Sequence, residues 1–437
     1  MPIKKGIMKM NPKRTLMLVC TLLLISIVIT VAPVFAENNG CVTCHRGLDG
    51  EAQKVVTQWE TSIHKAEGIY CQDCHGGNPL IDDDMDKAMY QAKGFIGKPS
   101  KKAVPELCAK CHSDTVRMRK YNIRTDQYDQ YKTSIHGIQL EKGDANVAVC
   151  SNCHGAHDIK KVNDPGSSVY YTNVPDTCGK CHADSQLMSK YGIKAEQLAL
   201  YKEGYHGQIL YGKVKDKNPA LVPNCATCHG THGATPPGVK DVAEVCGSCH
   251  GTVLDKFREG PHYAALQKNG SPKCYDCHGS HKNKMLAPEM FQGVESGHCG
   301  ACHQGNDIQQ LAKDIYAVIL DTKGEVDRAN KEVLSIEYSG RNNQDIEDLM
   351  NEAETYYKEI GPLTHSLNLE KINELKTKIT ANTDKVQQTV SEFKQGLEMR
   401  KKNLVYYLVI IVLIIILLYA KLRVVTDEYE RTAKKKS

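Results

Sequence analysis

Nine times along 437 residues the chain spells Cys-x-x-Cys-His, and nothing else in it constrains the fold so tightly. The motifs run Cys41–Cys44–His45, Cys71–Cys74–His75, Cys108–Cys111–His112, Cys150–Cys153–His154 and Cys178–Cys181–His182. They continue with Cys225–Cys228–His229, Cys246–Cys249–His250, Cys274–Cys277–His278 and Cys299–Cys302–His303. Eighteen of the 19 cysteines are used in this way. Zinc sites and disulfide frameworks also use paired cysteines, but neither requires a histidine directly after each pair. Covalent attachment of haem c does. Two thiols add to the porphyrin vinyls and the adjoining imidazole binds the iron. The spacing therefore predicts nine covalently bound haem c groups, with His45, His75, His112, His154, His182, His229, His250, His278 and His303 as proximal ligands.

Composition fits that reading. Five Phe and one Trp supply few large side chains for an ordinary core, so the macrocycles are expected to fill the interior between Cys41 and His303. The formal charge of +5 omits two propionates per haem, so it carries no argument for nucleic-acid binding.

The motifs come in pairs. Residues 105–137 align without a gap to residues 175–207, with 15 of 33 positions identical at an offset of seventy. Repetition at a fixed offset signals a repeated structural module. Each module reads as an attachment motif, a helical stretch, a lone histidine, and a second motif followed by Gly-x-His. Four copies are traced, through His64, His136 with His157, His206 with His232, and His262 with His281. The first copy lacks the Gly-x-His, and the ninth motif, preceded by His298, stands alone.

Eighteen histidines divide into nine within motifs and nine outside: His64, His136, His157, His206, His232, His262, His281, His298 and His365. Nine irons need nine further ligands to be six-coordinate, so these nine are the candidate distal ligands. His157 lies too close in sequence to His154 to reach the opposite face of that iron, and is expected to cap a neighbouring haem, as are His232 and His281. Methionine is the competing ligand and raises the potential. Met118 and Met188 match between repeats, but their mid-helix position reads as packing.

The ends of the chain address it to a membrane. Residues 1–36 combine a basic stretch, an apolar run and a Val-x-Ala close, and read as a secretory signal, with an uncleaved anchor as the alternative. Cys20 is an apolar residue of that run. Residues 403–425 contain an uncharged 17-residue run, 404–420, flanked by tyrosines, and read as a transmembrane helix with residues 426–437 as a cytoplasmic tail. Residues 37–303 form the haem-bearing part, on the periplasmic or extracellular side. Between them, residues 304–402 carry apolar positions at helical spacing: Ile308, Leu311, Ile315, Val318 and Thr322; Ile346, Leu349, Ala353, Tyr356 and Ile360; Ile372, Leu375, Ile379, Asn382 and Val386. Breaks are expected near Tyr338-Ser339-Gly340 and Gly361-Pro362. The fold class is thus mainly α with extensive loops around stacked haems, then a helical bundle or coiled-coil stalk and a C-terminal membrane helix.

These motifs resemble the multihaem c-type cytochromes of bacterial respiration, the family of tetrahaem cytochromes, membrane-anchored quinol dehydrogenases and octahaem oxidoreductases. The resemblance covers residues 41–303 and, loosely, the stalk. It implies closely stacked haems passing single electrons along a chain. The Cys-x-x-Cys-Lys haem of catalytic members is not found, and the clear anchor is C-terminal, unlike that of the small quinol dehydrogenases. No catalytic residue is assigned. The expectation is a membrane-anchored electron carrier, fed by a membrane-embedded quinol-oxidising subunit or the quinol pool. Its outlet is a downstream redox protein or terminal acceptor, and the stalk offers a route to oligomers. The alternatives are an oxidoreductase of small nitrogen or sulfur compounds with one five-coordinate haem, and a haem-bearing subunit of a larger respiratory complex.

Overall fold

The computed structural model describes residues 39–234, 242–284, 288–293, 298–336 and 344–434. The signal segment with Cys20 and the break expected at 338–340 lie outside these. Among the described residues there are helices, turns and loops, and no strand. The chain divides into two compact units at residues 173 and 174, between the second and third modules.

The first unit is built from short helices. Gly40–Arg46 and Val104–His112 each carry the first motif of a module, and Cys71–His75 and Cys150–His154 are one-turn helices carrying the second. Helical spacing brings residues i, i+3 and i+4 to one side, so both cysteines and the histidine of a motif address one face. Its apolar clusters are small, one around Val42, Val56 and Trp59 and another around Leu140, Val147 and Val149.

The second unit opens with the same helices at the same offset. Val104–His112, Thr115–Arg119 and Gln127–Thr133 in the first unit correspond, seventy residues on, to Val174–His182, Ser185–Ser189 and Gln197–Glu203. The capping chemistry repeats as well. Asp114 accepts from the backbone N–H of Arg117, and Asp184 from that of Leu187, each at 3.0 Å. Met118 and Met188 are buried within these helices, in keeping with packing.

Among the described residues, only the end of the second unit has an extensive side-chain core. Helices Asn306–Leu334, Gln344–Leu363 and Leu369–Lys434 form a three-helix bundle. Ile315, Ile360, Ile372, Ile379, Val386 and Val390 are almost fully buried in its centre. Ile308 is exposed, because it precedes the stretch where all three helices overlap. The second helix runs through Pro362 to Leu363, slightly past the expected break. Proline removes only its own N–H, so the turn closes as a short 3-10 segment, Thr364–Ser366, and the chain reverses at Leu367 with φ 53°. The third helix continues without interruption for 66 residues, and its apolar stretch is wholly uncovered by protein.

Candidate functional site

The attachment motifs fall into two structural classes. Those that close a module are single turns ended by a glycine at positive φ: Gly76, Gly155, Gly230 and Gly279. A residue with a Cβ is strained there, which accounts for the invariable Gly after the second histidine of each module. The third residue of each of these motifs is polar and caps its own turn. Asp73 accepts from Tyr70 N–H at 2.8 Å, Asn152 from Val149 at 2.9 Å, Thr227 from Asn224 at 3.1 Å and Asp276 from Lys273 at 2.7 Å. Sequence reasoning treated these positions as arbitrary. The alternation of Asp, Asn, Thr and Asp was the available signal.

None of the 18 described cysteines forms a disulfide and none is buried. Cysteine is ordinarily among the most buried residues, so sulfurs that are all half-buried or exposed fit the lining of space that a cofactor fills. Among the described residues no group of three or more His, Cys, Asp or Glu side chains converges as a bare metal ion would require.

The cysteines also meet in a regular order. Within modules the first cysteines approach each other: Cys41 with Cys71, Cys108 with Cys150, Cys178 with Cys225 and Cys246 with Cys274. Between modules the electrostatic neighbours are the second cysteines, Cys74 with Cys111 and Cys228 with Cys249, while Cys277 neighbours both Cys299 and Cys302. Attachment sites consecutive in sequence are thus adjacent within each unit.

Six motif histidines face a histidine from outside the motifs. The pairs are His64 with His112 (6.2 Å between ring centroids), His75 with His157 (6.2 Å) and His206 with His250 (6.2 Å). The others are His229 with His281 (6.0 Å), His262 with His303 (5.9 Å) and His278 with His365 (5.9 Å). A test of fit is simple. Two metal–imidazole bonds of about 2 Å plus two ring half-widths of about 1.1 Å separate the centroids by about 6.2 Å. The rings are therefore spaced for one iron between them. Their chemistry agrees: burial holds His64, His112, His157, His206, His262, His278, His281 and His365 below the usual histidine range, in the neutral form that ligates.

Second contacts orient the rings. His75 Nδ1 lies 2.7 Å from the Gly97 carbonyl, and His365 Nδ1 lies 3.1 and 3.2 Å from those of Gly361 and Pro362. With Nδ1–H donating to a carbonyl, Nε2 is left for the metal.

The pairs obey a rule. The lone histidine of a module reaches forward to the first motif of the next: His64 to His112, His206 to His250, His262 to His303. The Gly-x-His histidine reaches back to the second motif of the module before it: His157 to His75 and His281 to His229. His365, from the bundle, takes that role for His278. The backbone beside the lone histidines of the second and third modules is tight. A Cβ on Gly137 or Gly207, directly after His136 and His206, would stand 2.1 or 1.9 Å from the carbonyl oxygen of Tyr131 or Tyr201.

His136, His154, His182, His232 and His298 also engage neighbouring groups, and the His298 ring packs on Gly293. Among the described residues, no imidazole stands across from His45 at the separation of the six pairs.

Comparison with known proteins runs in the same direction. Residues 63–183 match the family model for cytochrome c3, residues 218–254 that for the doubled CXXCH motif, and residues 26–76 that for cytochrome c554 and c-prime. The chain is 22% identical to the C-type polyheme cytochrome OmcB of Geobacter sulfurreducens over 342 residues, covering 61% of this chain and 39% of that protein. It is 25% identical over 125 residues to OmcC of the same species, covering 27% of this chain and 14% of that protein. The chain thus spans well under half the length of these curated relatives. Haem-attachment chemistry runs through both units, and each family model falls on the stretches that carry it: the chain is a multihaem c-type cytochrome, distantly similar to the polyhaem cytochromes of Geobacter.

Proposed function

We propose that the chain is a nonahaem electron carrier, tethered to the cytoplasmic membrane by residues 403–425. It takes electrons from a membrane quinol-oxidising partner and passes them to periplasmic or extracellular acceptors. The observation that carries this reading is the order of neighbours within each unit, where attachment sites consecutive in sequence lie side by side, together with six pairs of imidazoles spaced for one iron each. Haems so linked pass electrons from neighbour to neighbour, while irons closed on both faces offer substrate no place to bind. The chain's own residues supply attachment, axial ligands and spacing, and the haem supplies the redox chemistry. Mass spectrometry counts the haems, and stepwise redox titration with electron paramagnetic resonance tests the rest. Nine haems titrating reversibly as low-spin centres is the expected outcome, and predominantly high-spin iron refutes the wire.

One observation favours a second reading, an oxidoreductase of small nitrogen or sulfur compounds at the first haem. His45 has no facing imidazole among the described residues. A cavity of about 700 Å³ lies close to its helix, with Ile81, Lys87, Tyr90 and Lys93 in the wall. Gly40, which starts that helix, donates to the Pro79 carbonyl at 2.6 Å. Carbon monoxide binding to one haem of the reduced chain would support an open site there, and no binding would exclude it.

A further inference from the structure

Cap histidines come in twos. At the junction of the first two modules, His64 faces His112 of the third motif and His157 faces His75 of the second. Ile63 opens the short helix bearing His64 and donates its N–H to the carbonyl of Ile159, two residues past His157, at 2.8 Å. The junction of the last two modules repeats the contact. Tyr205 opens the helix bearing His206 and donates to the carbonyl of Asn283, two residues past His281, at 2.8 Å. Here His206 faces His250 of the seventh motif and His281 faces His229 of the sixth. A helix start leaves backbone N–H groups without intrahelical partners, so each loop that presents one cap also closes the helix that presents the other.

The second of these junctions adds a side-chain tie. The His206 ring hydrogen-bonds the side chain of Asn283. Asn283 Nδ2 donates to the carbonyls of Gly279, at 3.2 Å, and Ser280. Both amide hydrogens are then engaged on the loop, so Oδ1 is the atom that accepts from the ring. With one ring nitrogen donating to Oδ1, the other is left for the metal. The fit is close: a Cβ on Gly204 would stand 2.7 Å from the His281 carbonyl oxygen and 2.8 Å from Asn283 N. Lys282 and Glu203 pair across the same contact. The corresponding position of the first junction is Ile159, whose side chain has no polar atom. There the His64 and His112 planes lie 51° apart, against 26° for His206 and His250.

We infer that Asn283 is a positioning residue for two neighbouring irons: it holds the His206 ring in register for the seventh haem and the loop that presents His281 to the sixth. The inference rests on the carrier reading above and assigns the tuning of one step along the haems to a single side chain. That step is the passage of one electron between the sixth and seventh irons, one oxidised as the other is reduced. Their attachment sites are neighbours through Cys228 and Cys249. A hydrogen bond from a ligating imidazole to an amide oxygen raises the basicity of the ring, and a more basic ligand favours ferric over ferrous iron. Asn283 thereby holds the seventh haem at a lower potential than the same pair of histidines would have without it. The sixth haem feels the residue differently, through the Gly279 and Ser280 carbonyls and the loop that leads to His281. The driving force between two consecutive haems is set in part by one amide.

The experiment uses the full haem-loaded chain in detergent, titrated redox-wise under electron paramagnetic resonance, as the parent and as Asn283→Leu, Asn283→Asp and Ile159→Asn. In Asn283→Leu, about two ninths of the low-spin intensity should change its g values, and one midpoint potential should move upward. Asn283→Asp keeps an acceptor for His206 but loses both donors. The upward shift should then be absent while the signal of the sixth haem is still altered. Ile159→Asn supplies the tie at the first junction and should move one other midpoint, that of the third haem, downward. An Asn283→Leu chain with every signal and midpoint as in the parent would overturn the inference and leave the carrier reading standing. Should Asn283→Leu lose haem, Ile159→Asn decides, and the absence of a downward shift there overturns the inference. A parent chain without reversible low-spin signals would end the carrier reading, and the inference with it.

Discussion

His365 sits 62 residues beyond the last attachment histidine, in a three-residue turn between two bundle helices, and its replacement by alanine tests the cap rule most directly. Its ring centroid is 5.9 Å from that of His278, with the planes 9° apart, a spacing with room for one iron. Two backbone carbonyls engage its Nδ1, so the free nitrogen is aimed by the turn itself. Removing the imidazole opens one axial face of one iron in nine. Electron paramagnetic resonance with spin counting should then show about one ninth of the iron passing from low-spin to high-spin. A tethered ligand acts at an effective concentration in about the millimolar range, so free imidazole at that level or above should restore the low-spin signal. His365→Met should keep the iron six-coordinate and raise the potential of that one haem. His365 is not among the apolar residues of the bundle core, so far-UV circular dichroism should hold its helical signal in both variants. A His365→Ala protein with every iron low-spin and no response to imidazole would refute the cap assignment.

Three further outcomes follow from the packing. Gly207→Ala forces a methyl against a backbone carbonyl 1.9 Å away, which cannot rotate aside. The cost should be about 1–3 kcal/mol, read by thermal denaturation, with disturbance of the haem that His206 faces. Ile379→Ala empties a fully buried site in the bundle and should cost it about 2–5 kcal/mol, leaving the haem spectrum unchanged. Glu259 is held below the usual carboxylate range by its hydrogen bonds to Lys256 and Lys371. Its contribution is therefore complete above the ordinary glutamate value of about 4.3 and lost as pH falls through its lower folded value. Hydrogen exchange across the module–bundle junction should accelerate on that acid limb in the parent chain, and Glu259→Gln should flatten the dependence.

Much of the candidate site was legible because haem attachment is a local code. Cysteines at i and i+3 with a histidine at i+4 meet one macrocycle from a single turn of helix, whatever surrounds it. The bundle was legible for a similar reason. Ile372, Leu375, Ile379, Asn382 and Val386 fall on one face at helical spacing, and all five are buried. The polar third residue of the module-closing motifs was not recognised, because a cap is visible only once the turn is known to stand alone. The tight approach behind Gly137 and Gly207 was equally hidden, since it depends on the angle between two short helices.

What the sequence determined by itself is chemistry within reach of one turn: which cysteines are paired in attachment motifs, which histidine follows each pair, and where the helices run apolar. It also led to the expectation that His157, three residues after His154, caps an iron other than the one His154 binds. Which imidazole faces which motif was decided by tertiary structure alone, because a cap comes from another module, tens of residues away, and spacing along the chain says nothing about distance across it. The reach of His157 back to His75, of His64 forward to His112, and of His365 out of the bundle to His278 are facts of how modules stack. Periodicity announces a helix, but only the fold shows that the third bundle helix runs on without interruption through the apolar stretch.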